Sequence, residues 1–169
     1  RYRDFTYPST DPEDIEFMPT SGGSASFSQF MESEVQPLIE SRYKTNRTST
    51  IIGQSMGGLY ASEVLIETPS LFDEYVIVSP SLWWEQQRLL AKADSLINGQ
   101  VLPVKRIFIS LGTEHPVMHE VAEELVGILE SSPLQEYELT YYPLPDEDHA
   151  TILHFAVYHA LRQARPVEE

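Results

Sequence analysis

Short apolar runs alternate with longer amphipathic runs over most of this chain, from residue 48 to residue 162. The short runs are rich in apolar and β-branched side chains, which is typical of strands buried inside a parallel sheet. The predicted strands are Thr48–Ile52, Tyr75–Val78, Arg106–Leu111 and Glu138–Tyr142. The runs between and after them predict helices over Leu59–Glu67, Glu85–Ile97, Val117–Glu130 and Ala150–Arg162. Regular alternation of strand and helix indicates the α/β class, with a parallel sheet flanked by helices.

The segment before the first strand has a different pattern. Residues 1–26 carry prolines, serines and acidic side chains with little periodicity, and they read as loop. Ser26 followed by Gln29 matches a capping box and predicts the start of a helix over Phe27–Tyr43. Pro37 lies inside that helix, so we expect a kink or a split just before it.

The first strand runs into a G-x-S-x-G motif centred on Ser55, with Gly53 and Gly57 on either side. In a strand-to-helix turn this motif forms a nucleophile elbow, which exposes a serine hydroxyl. Glycine is required where a side chain would collide with the neighbouring strand or helix. The alternative is a glycine-rich loop in which the serine has no role.

Loops that follow three predicted strands each carry one member of a hydrolytic set, because ligands of such sheets gather at the carboxyl ends of the strands. These residues are Ser55, Glu114 and His149. A serine hydroxyl needs an adjacent base, and imidazole suits that task near neutral pH. Glu114 would orient the imidazole, and the chain order of serine, acid and histidine is that of α/β-hydrolases.

Other residues compete for two of these roles. Glu120 and Asp146 are alternative acids, and a Ser–His dyad needs no acid at all. The other histidines are His115, His119, His154 and His159. The last two lie inside a predicted helix, where a packed or surface role is typical. The first two could share a metal on one helix face, but the proline between them and the lack of a third ligand argue against it, so we expect no metal.

The oxyanion of an ester hydrolase needs two donors. The backbone N–H of Met56, directly after the serine, is one candidate. The second normally comes from a loop after an earlier strand, and no such strand is predicted before residue 48.

Composition narrows the classes of partner. The formal charge of −15 disfavours nucleic acid and anionic membranes, and no run is long enough to predict a membrane span. The absence of cysteine excludes disulfides and thiolate sites. We expect a small-molecule ester substrate and no cofactor, while the compartment and the oligomeric state are left open.

Several blocks together resemble one family. They are Arg1–Thr6, Ser21–Gly23, Phe30–Ile39, Gly53–Gly58 and Ser79–Trp84. Their spacing is similar to that of the putative-esterase (esterase D-like) branch of α/β-hydrolases, which includes siderophore trilactone esterases such as enterobactin and salmochelin hydrolases. The resemblance implies an α/β-hydrolase fold and catalytic roles for Ser55 and His149. Some members use a dyad, so the role of Glu114 stays open.

Members of that family carry their first strands and oxyanion loop ahead of the Arg1–Thr6 block. We therefore expect residues 1–169 to be one α/β-hydrolase domain, the C-terminal portion of a larger domain. Arg1, Arg3, Trp83 and Trp84 are candidates for a pocket that stacks on aromatic groups, although both tryptophans could equally be core residues.

The predicted function is that of a serine carboxylic-ester hydrolase, narrowed by the resemblance to a siderophore-type esterase. Two alternatives use the same fold. One is an acyltransferase that uses the same nucleophile, and the other is a binding module without turnover.

Overall fold

The computed structural model describes residues 1–164 and contains a four-stranded parallel sheet. The strands are β1 (Thr50–Gln54), β2 (Glu74–Val78), β3 (Arg106–Ser110) and β4 (Glu138–Tyr141). They lie side by side in chain order, so that Ile51 of β1 faces Tyr75 of β2, which faces Ile107 of β3. All four strands were predicted within two residues of their observed bounds.

Seven α-helices accompany the sheet in the described part of the chain. They are α1 (Pro12–Phe17), α2 (Ser24–Phe30), α3 (Gln36–Arg42), α4 (Met56–Glu67), α5 (Trp84–Asn98), α6 (Pro116–Ser131) and α7 (Ile152–Ala164). None of the helices within residues 1–164 is long and apolar enough to cross a membrane. The α/β class predicted from the alternating pattern is confirmed.

The two faces of the sheet are covered by different helices, because successive strand residues point to opposite faces. Alternate residues of β2 and β3, including Ile77 and Ile109, belong to the larger core with α4, α5 and α6. Their neighbours Val76 and Phe108 pack against α7. The outer edge of β1 has no strand partner among residues 1–164, and Ile52 on it is 43% exposed.

The helical region before β1 differs from the prediction in its details. A π-helical turn, Met31–Val35, joins α2 directly to α3, and Pro37 lies in the first turn of α3. Proline is tolerated there because the first N–H groups of a helix need no intrahelical acceptor. The predicted capping box is wrong. Gly23 occupies the N-cap position of α2 without a side-chain hydrogen bond, and Ser26 lies inside the helix.

The predicted loop over residues 1–26 contains the short helix α1. The Asp11 side chain caps it by accepting from the backbone N–H groups of Glu13 and Asp14. Sequence periodicity missed this helix because none of its residues is buried.

The start of α5 is not regular helix. Glu85, Gln86 and Gln87 have positive φ values of 50°, 50° and 62°. The buried Glu85 carboxylate accepts from the Thr10 hydroxyl at 2.6 Å and from the Thr10 backbone N–H at 2.7 Å. This left-handed turn therefore ties the N-terminal segment to the loop after β2.

Glu63 on α4 is a buried carboxyl group, 8% exposed. The Ser24 hydroxyl donates to its Oε1 at 2.8 Å, and Oε2 has no hydrogen-bond partner in the described residues. Burial raises the pKa of Glu63 to about 7, an effect that the bond from Ser24 only partly offsets. Nearby Glu67 raises this pKa further, while Lys92 and Arg88 lower it. The carboxyl group therefore binds its proton more tightly in the folded than in the unfolded state.

Glu63→Gln is expected to raise the free energy of unfolding at alkaline pH and to change it little at acid pH. The bound proton stabilises the fold fully below the unfolded pKa, and this contribution is lost as the pH rises through the folded pKa of about 7. Glutamine mimics the protonated form at every pH, so the variant should gain about 1–3 kcal/mol over wild type near pH 8.5. Urea unfolding at about pH 5 and about pH 8.5 measures this difference.

Glu124→Gln, at an exposed position of α6, is the matched control and should show no such pH dependence. A Glu63→Gln effect of equal size at both pH values would contradict the assignment.

Candidate active site

Ser55 occupies the turn between β1 and α4 with φ 60° and ψ −120°, a strained conformation for a residue with a side chain. Its backbone N–H donates to the Val78 carbonyl of β2 at 3.1 Å, and its carbonyl accepts from the Leu59 N–H at 2.9 Å. The residue remains partly exposed. The strand, turn and helix predicted around the motif are therefore present, and the serine sits on the turn.

The glycines around Ser55 contribute unequally. A Cβ on Gly53 would lie 2.0 Å from the Gly57 carbonyl oxygen, so β1 and α4 can approach only without that side chain. A Cβ on Gly58 would lie 2.9 Å from Pro80 Cα. A Cβ on Gly57 would meet nothing within 4 Å. The sequence predicted collisions at Gly53 and Gly57. The prediction is confirmed at Gly53 and is wrong at Gly57, while a collision that was not predicted would occur at Gly58.

The loops after β3 and β4 bring Glu114 and His149 together. His149 Nδ1 lies 2.9 Å from Glu114 Oε2 and 3.1 Å from Oε1. The Glu114 side chain is 5% exposed, whereas the His149 side chain is 47% exposed. A carboxylate in this position accepts from Nδ1–H, which leaves Nε2 as the free basic nitrogen of the neutral ring.

The loop that carries His149 runs alongside the end of β3. The Thr113 N–H donates to the Glu147 carbonyl at 2.6 Å, and the Leu144 N–H donates to the Leu111 carbonyl at 2.7 Å. A Cβ on Gly112 would lie 2.4 Å from the Glu147 carbonyl oxygen, so this pairing requires a glycine. The backbone next to the acid and the backbone next to the histidine are therefore held as one unit.

Asp148 closes the same loop onto α7. Its Oδ1 accepts from the backbone N–H groups of Ala150 and Thr151 at 2.8 and 3.1 Å. These two bonds, followed by the Thr151 hydroxyl and the nearby His149 charge, hold the pKa of Asp148 below its usual range, although slight burial opposes them. Asp148 therefore adds a second negative charge beside the imidazole.

Gln54 connects the elbow to the histidine loop. Its side-chain Nε2 donates to the His149 backbone carbonyl at 2.5 Å. The residue before the predicted nucleophile thus contacts the predicted base directly. No hydrogen bond joins Ser55 Oγ to the His149 ring within residues 1–164, and such bonds commonly tighten only when a substrate is bound.

Met56 is the first residue of α4. The first N–H groups of a helix have no intrahelical acceptor, and the helix dipole places partial positive charge there. The Met56 N–H can therefore face a developing oxyanion next to Ser55.

The competing acids and histidines lie in other settings. Glu120 and Asp146 are exposed, and neither bonds to His149. His115 caps α6 by accepting from the Val117 N–H, and His159 stacks on a tyrosine of the β4 loop with ring centroids 4.4 Å apart. Residues 1–164 contain no group of three or more His, Cys, Asp or Glu side chains arranged to hold a metal ion.

The four residues predicted to line a substrate pocket differ in exposure, and Arg1 is exposed. Arg3 is exposed and pairs with Asp4 at 2.8 Å, and it lines an open cleft of about 570 Å³ together with Phe27 and other residues. Trp83 is partly exposed. Trp84 is completely buried, and its indole N–H donates to the carbonyl of Tyr7 at 3.1 Å. Trp84 is therefore a core residue in this structure.

Comparison with known proteins places these observations in a family. A model of the family described as "Putative esterase" matches residues 6–150 of this chain. The chain belongs to this esterase family. The resemblance seen in the sequence motifs is thereby confirmed.

Two curated esterases are similar to this chain. The chain is 32% identical over 176 residues to the ferri-bacillibactin esterase BesA of Bacillus subtilis, covering 97% of this chain and 61% of that protein. It is 29% identical over 181 residues to a siderophore enterobactin esterase of Emericella nidulans, covering 89% of this chain and 59% of that protein. The chain thus spans less than two thirds of the length of these relatives.

Among solved structures, the crystal structure of the BES protein from Bacillus cereus superposes with a TM-score of 0.86 at 28% identity. That superposition covers 98% of this chain and 63% of the other. The predicted α/β-hydrolase fold is confirmed by this likeness and by further serine hydrolases of similar structure.

Two residues of this candidate site, Ser79 and Gln54, were given no role from the sequence. The Ser79 hydroxyl donates to Glu114 Oε1 at 2.5 Å. Both residues lie inside blocks that carry the family resemblance, and Ser79 also follows a predicted strand directly, at the edge where ligands gather.

Gly53→Ala is expected to lower the free energy of unfolding by roughly 2–5 kcal/mol, because the new methyl group would collide with backbone that cannot move away cheaply. Gly57→Ala is the matched control within the same motif, and its stability should stay within about 1 kcal/mol of wild type. Urea unfolding of both variants measures the difference. Equal losses for the two substitutions would show that the close approach at Gly53 is not the limiting contact.

Proposed function

We propose that this chain carries the active site of a serine carboxylic-ester hydrolase, with Ser55 as nucleophile, His149 as general base and Glu114 as the orienting acid. The observation that carries the proposal is the contact between His149 Nδ1 and the buried Glu114 carboxylate at 2.9 Å. Gln54, which precedes the serine in the strained turn of a nucleophile elbow, donates to the His149 backbone carbonyl at 2.5 Å. Membership of the esterase family supports the same reaction class.

In the proposed mechanism, Ser55 Oγ attacks the ester carbonyl carbon while His149 Nε2 accepts the hydroxyl proton. The oxyanion that forms is stabilised by the Met56 N–H at the start of α4. Collapse of this intermediate breaks the bond to the alcohol, which leaves with the proton from His149. Water then attacks the acyl-enzyme with His149 again acting as base, and Ser55 is regenerated.

Glu114 acts on the histidine in both half-reactions. Its carboxylate accepts from Nδ1–H, which fixes the neutral tautomer that has Nε2 unprotonated. When Nε2 takes a proton, the negative charge 2.9 Å from Nδ1 stabilises the imidazolium. The Glu114 side chain is 5% exposed and the His149 side chain 47%, so water screens this attraction mainly from the side of the histidine.

We propose a siderophore-type ester as the substrate class. The two similar curated proteins are named as esterases of ferri-bacillibactin and of siderophore enterobactin. The cleft of about 570 Å³ presents the Arg3 guanidinium, which is paired with Asp4, beside the rings of Phe27 and Phe30, a combination suited to an aromatic group. Trp83, partly exposed on the loop after β2, is the second candidate contact.

Ser55→Ala should abolish labelling by a fluorophosphonate probe and lower hydrolysis of a p-nitrophenyl acyl ester by at least about 10³-fold. Removal of the only attacking atom explains both losses. Mass spectrometry of the labelled wild type locates the adduct, and product analysis with added alcohol separates hydrolysis from acyl transfer. Unchanged turnover in the variant would refute the proposed nucleophile, and a wild type that never labels would favour a binding module.

Glu114→Gln should lower kcat by about 10²- to 10⁴-fold while leaving KM nearly unchanged. The amide can donate to Nδ1 instead of accepting from it, which favours the wrong tautomer for catalysis. Glu120→Gln, which changes the exposed competing acid, is the control and should retain wild-type kcat. If Glu114→Gln retains full activity, the site works as a Ser–His dyad.

A further inference from the structure

Ser79 lies at the carboxyl end of β2, and the mechanism above gives it no part. It is completely buried. Its hydroxyl donates to Glu114 Oε1 at 2.5 Å, and its backbone N–H donates to the Ser110 carbonyl of β3 at 2.9 Å. An ionised carboxylate can only accept, so the direction of the hydroxyl bond is set by chemistry.

The backbone at Ser79 is strained, with φ at 44°. Glycine adopts such a value freely, whereas a residue with a Cβ does not. Glycine would therefore suit this turn better on backbone grounds alone. What serine adds is a hydroxyl that reaches a carboxylate 35 residues further along the chain.

We propose that Ser79 is a positioning residue of the active site, whose hydroxyl holds the Glu114 carboxylate in the plane that meets His149. The inference rests on the proposed esterase function and extends it by one residue. With Oε1 bound by Ser79 and Oε2 at 2.9 Å from His149 Nδ1, rotation about the last bond of the Glu114 side chain would break one contact or the other. The two donors thereby fix one orientation of the acid.

Loss of the Ser79 hydroxyl has a defined electrostatic consequence. Glu114 would keep its burial but lose a donor that spreads its charge, so it would attract the His149 proton more strongly. The other charged neighbour of His149 on its own loop, Asp148, is bonded to the backbone at the start of α7 and is unaffected by Ser79.

Two substitutions of Ser79 test this role in the 169-residue chain. Ser79→Ala removes the hydroxyl and keeps the strained Cβ, while Ser79→Gly removes the hydroxyl and relieves the strain. Ser62→Ala is the matched control, since Ser62 is a fully buried serine of α4 whose hydroxyl bonds to a backbone carbonyl of its own helix at 2.8 Å.

Both Ser79 variants should shift the low-field NMR resonance of the His149 Nδ1–H proton, because the carboxylate that accepts this proton is no longer held in one orientation. The kcat for a p-nitrophenyl ester should fall about 10- to 100-fold with KM near the wild-type value. Ser62→Ala should leave the Nδ1–H resonance and both kinetic constants in place.

A wild-type Nδ1–H resonance of His149 in both Ser79 variants would overturn the inference. So would recovery of the wild-type kcat and resonance in Ser79→Gly alone, because the loss in Ser79→Ala would then come from backbone strain. If Ser79→Ala does not fold, the unstrained Ser79→Gly variant decides. Failure of the esterase proposal itself is seen separately, as an absence of fluorophosphonate labelling at Ser55 in the wild type, while the Nδ1–H resonance still tests Ser79.

Discussion

The close approach of β1 to the first turn of α4 is the contact on which the rest of the site depends. It exists because Gly53 has no side chain to meet the Gly57 carbonyl. The same turn forces Ser55 to a positive φ and links its N–H to Val78 at the end of β2. Gly58 then packs against Pro80, so the loop after β2 is placed by the elbow as well.

From the loop after β2, a series of side-chain hydrogen bonds extends along this edge of the sheet. Ser79 follows Val78 and bonds to Glu114, which follows β3, and Glu114 bonds to His149, which follows β4. The Gln54 side chain at the end of β1 donates to the backbone carbonyl of His149 in the loop after β4. Neighbouring parallel strands end at one edge, which explains the contacts between successive loops. β1 and β4 are the outer strands of the sheet, so the contact between Gln54 and His149 requires the loop after β4 to extend back across that edge.

Much of this could be predicted from the sequence, for physical reasons that also mark the limit. Buried strands of a parallel sheet are continuously apolar, and loops after them hold the reactive groups, so β2, Glu114 and His149 could be recognised. The hydroxyl of Ser79 could not, because its contact depends on a positive φ that no residue pattern encodes. The burial of Trp84 likewise depends on Tyr7, 77 residues away in the chain. The prediction of a collision at Gly57 was wrong because motif spacing does not tell which glycine faces the neighbouring loop.

The acid and the base of the site differ in exposure to solvent. Burial of the Glu114 carboxylate carries a desolvation cost, which the hydroxyl of Ser79 and the ring of His149 offset. The His149 side chain is 47% exposed and therefore remains accessible from solvent. The buried acid Glu114 therefore orients the base, while the exposed base His149 stays accessible. Such a site can be rigid where the proton is held and still admit a large ester, since the groups that fix Glu114 are different from those that a substrate would touch.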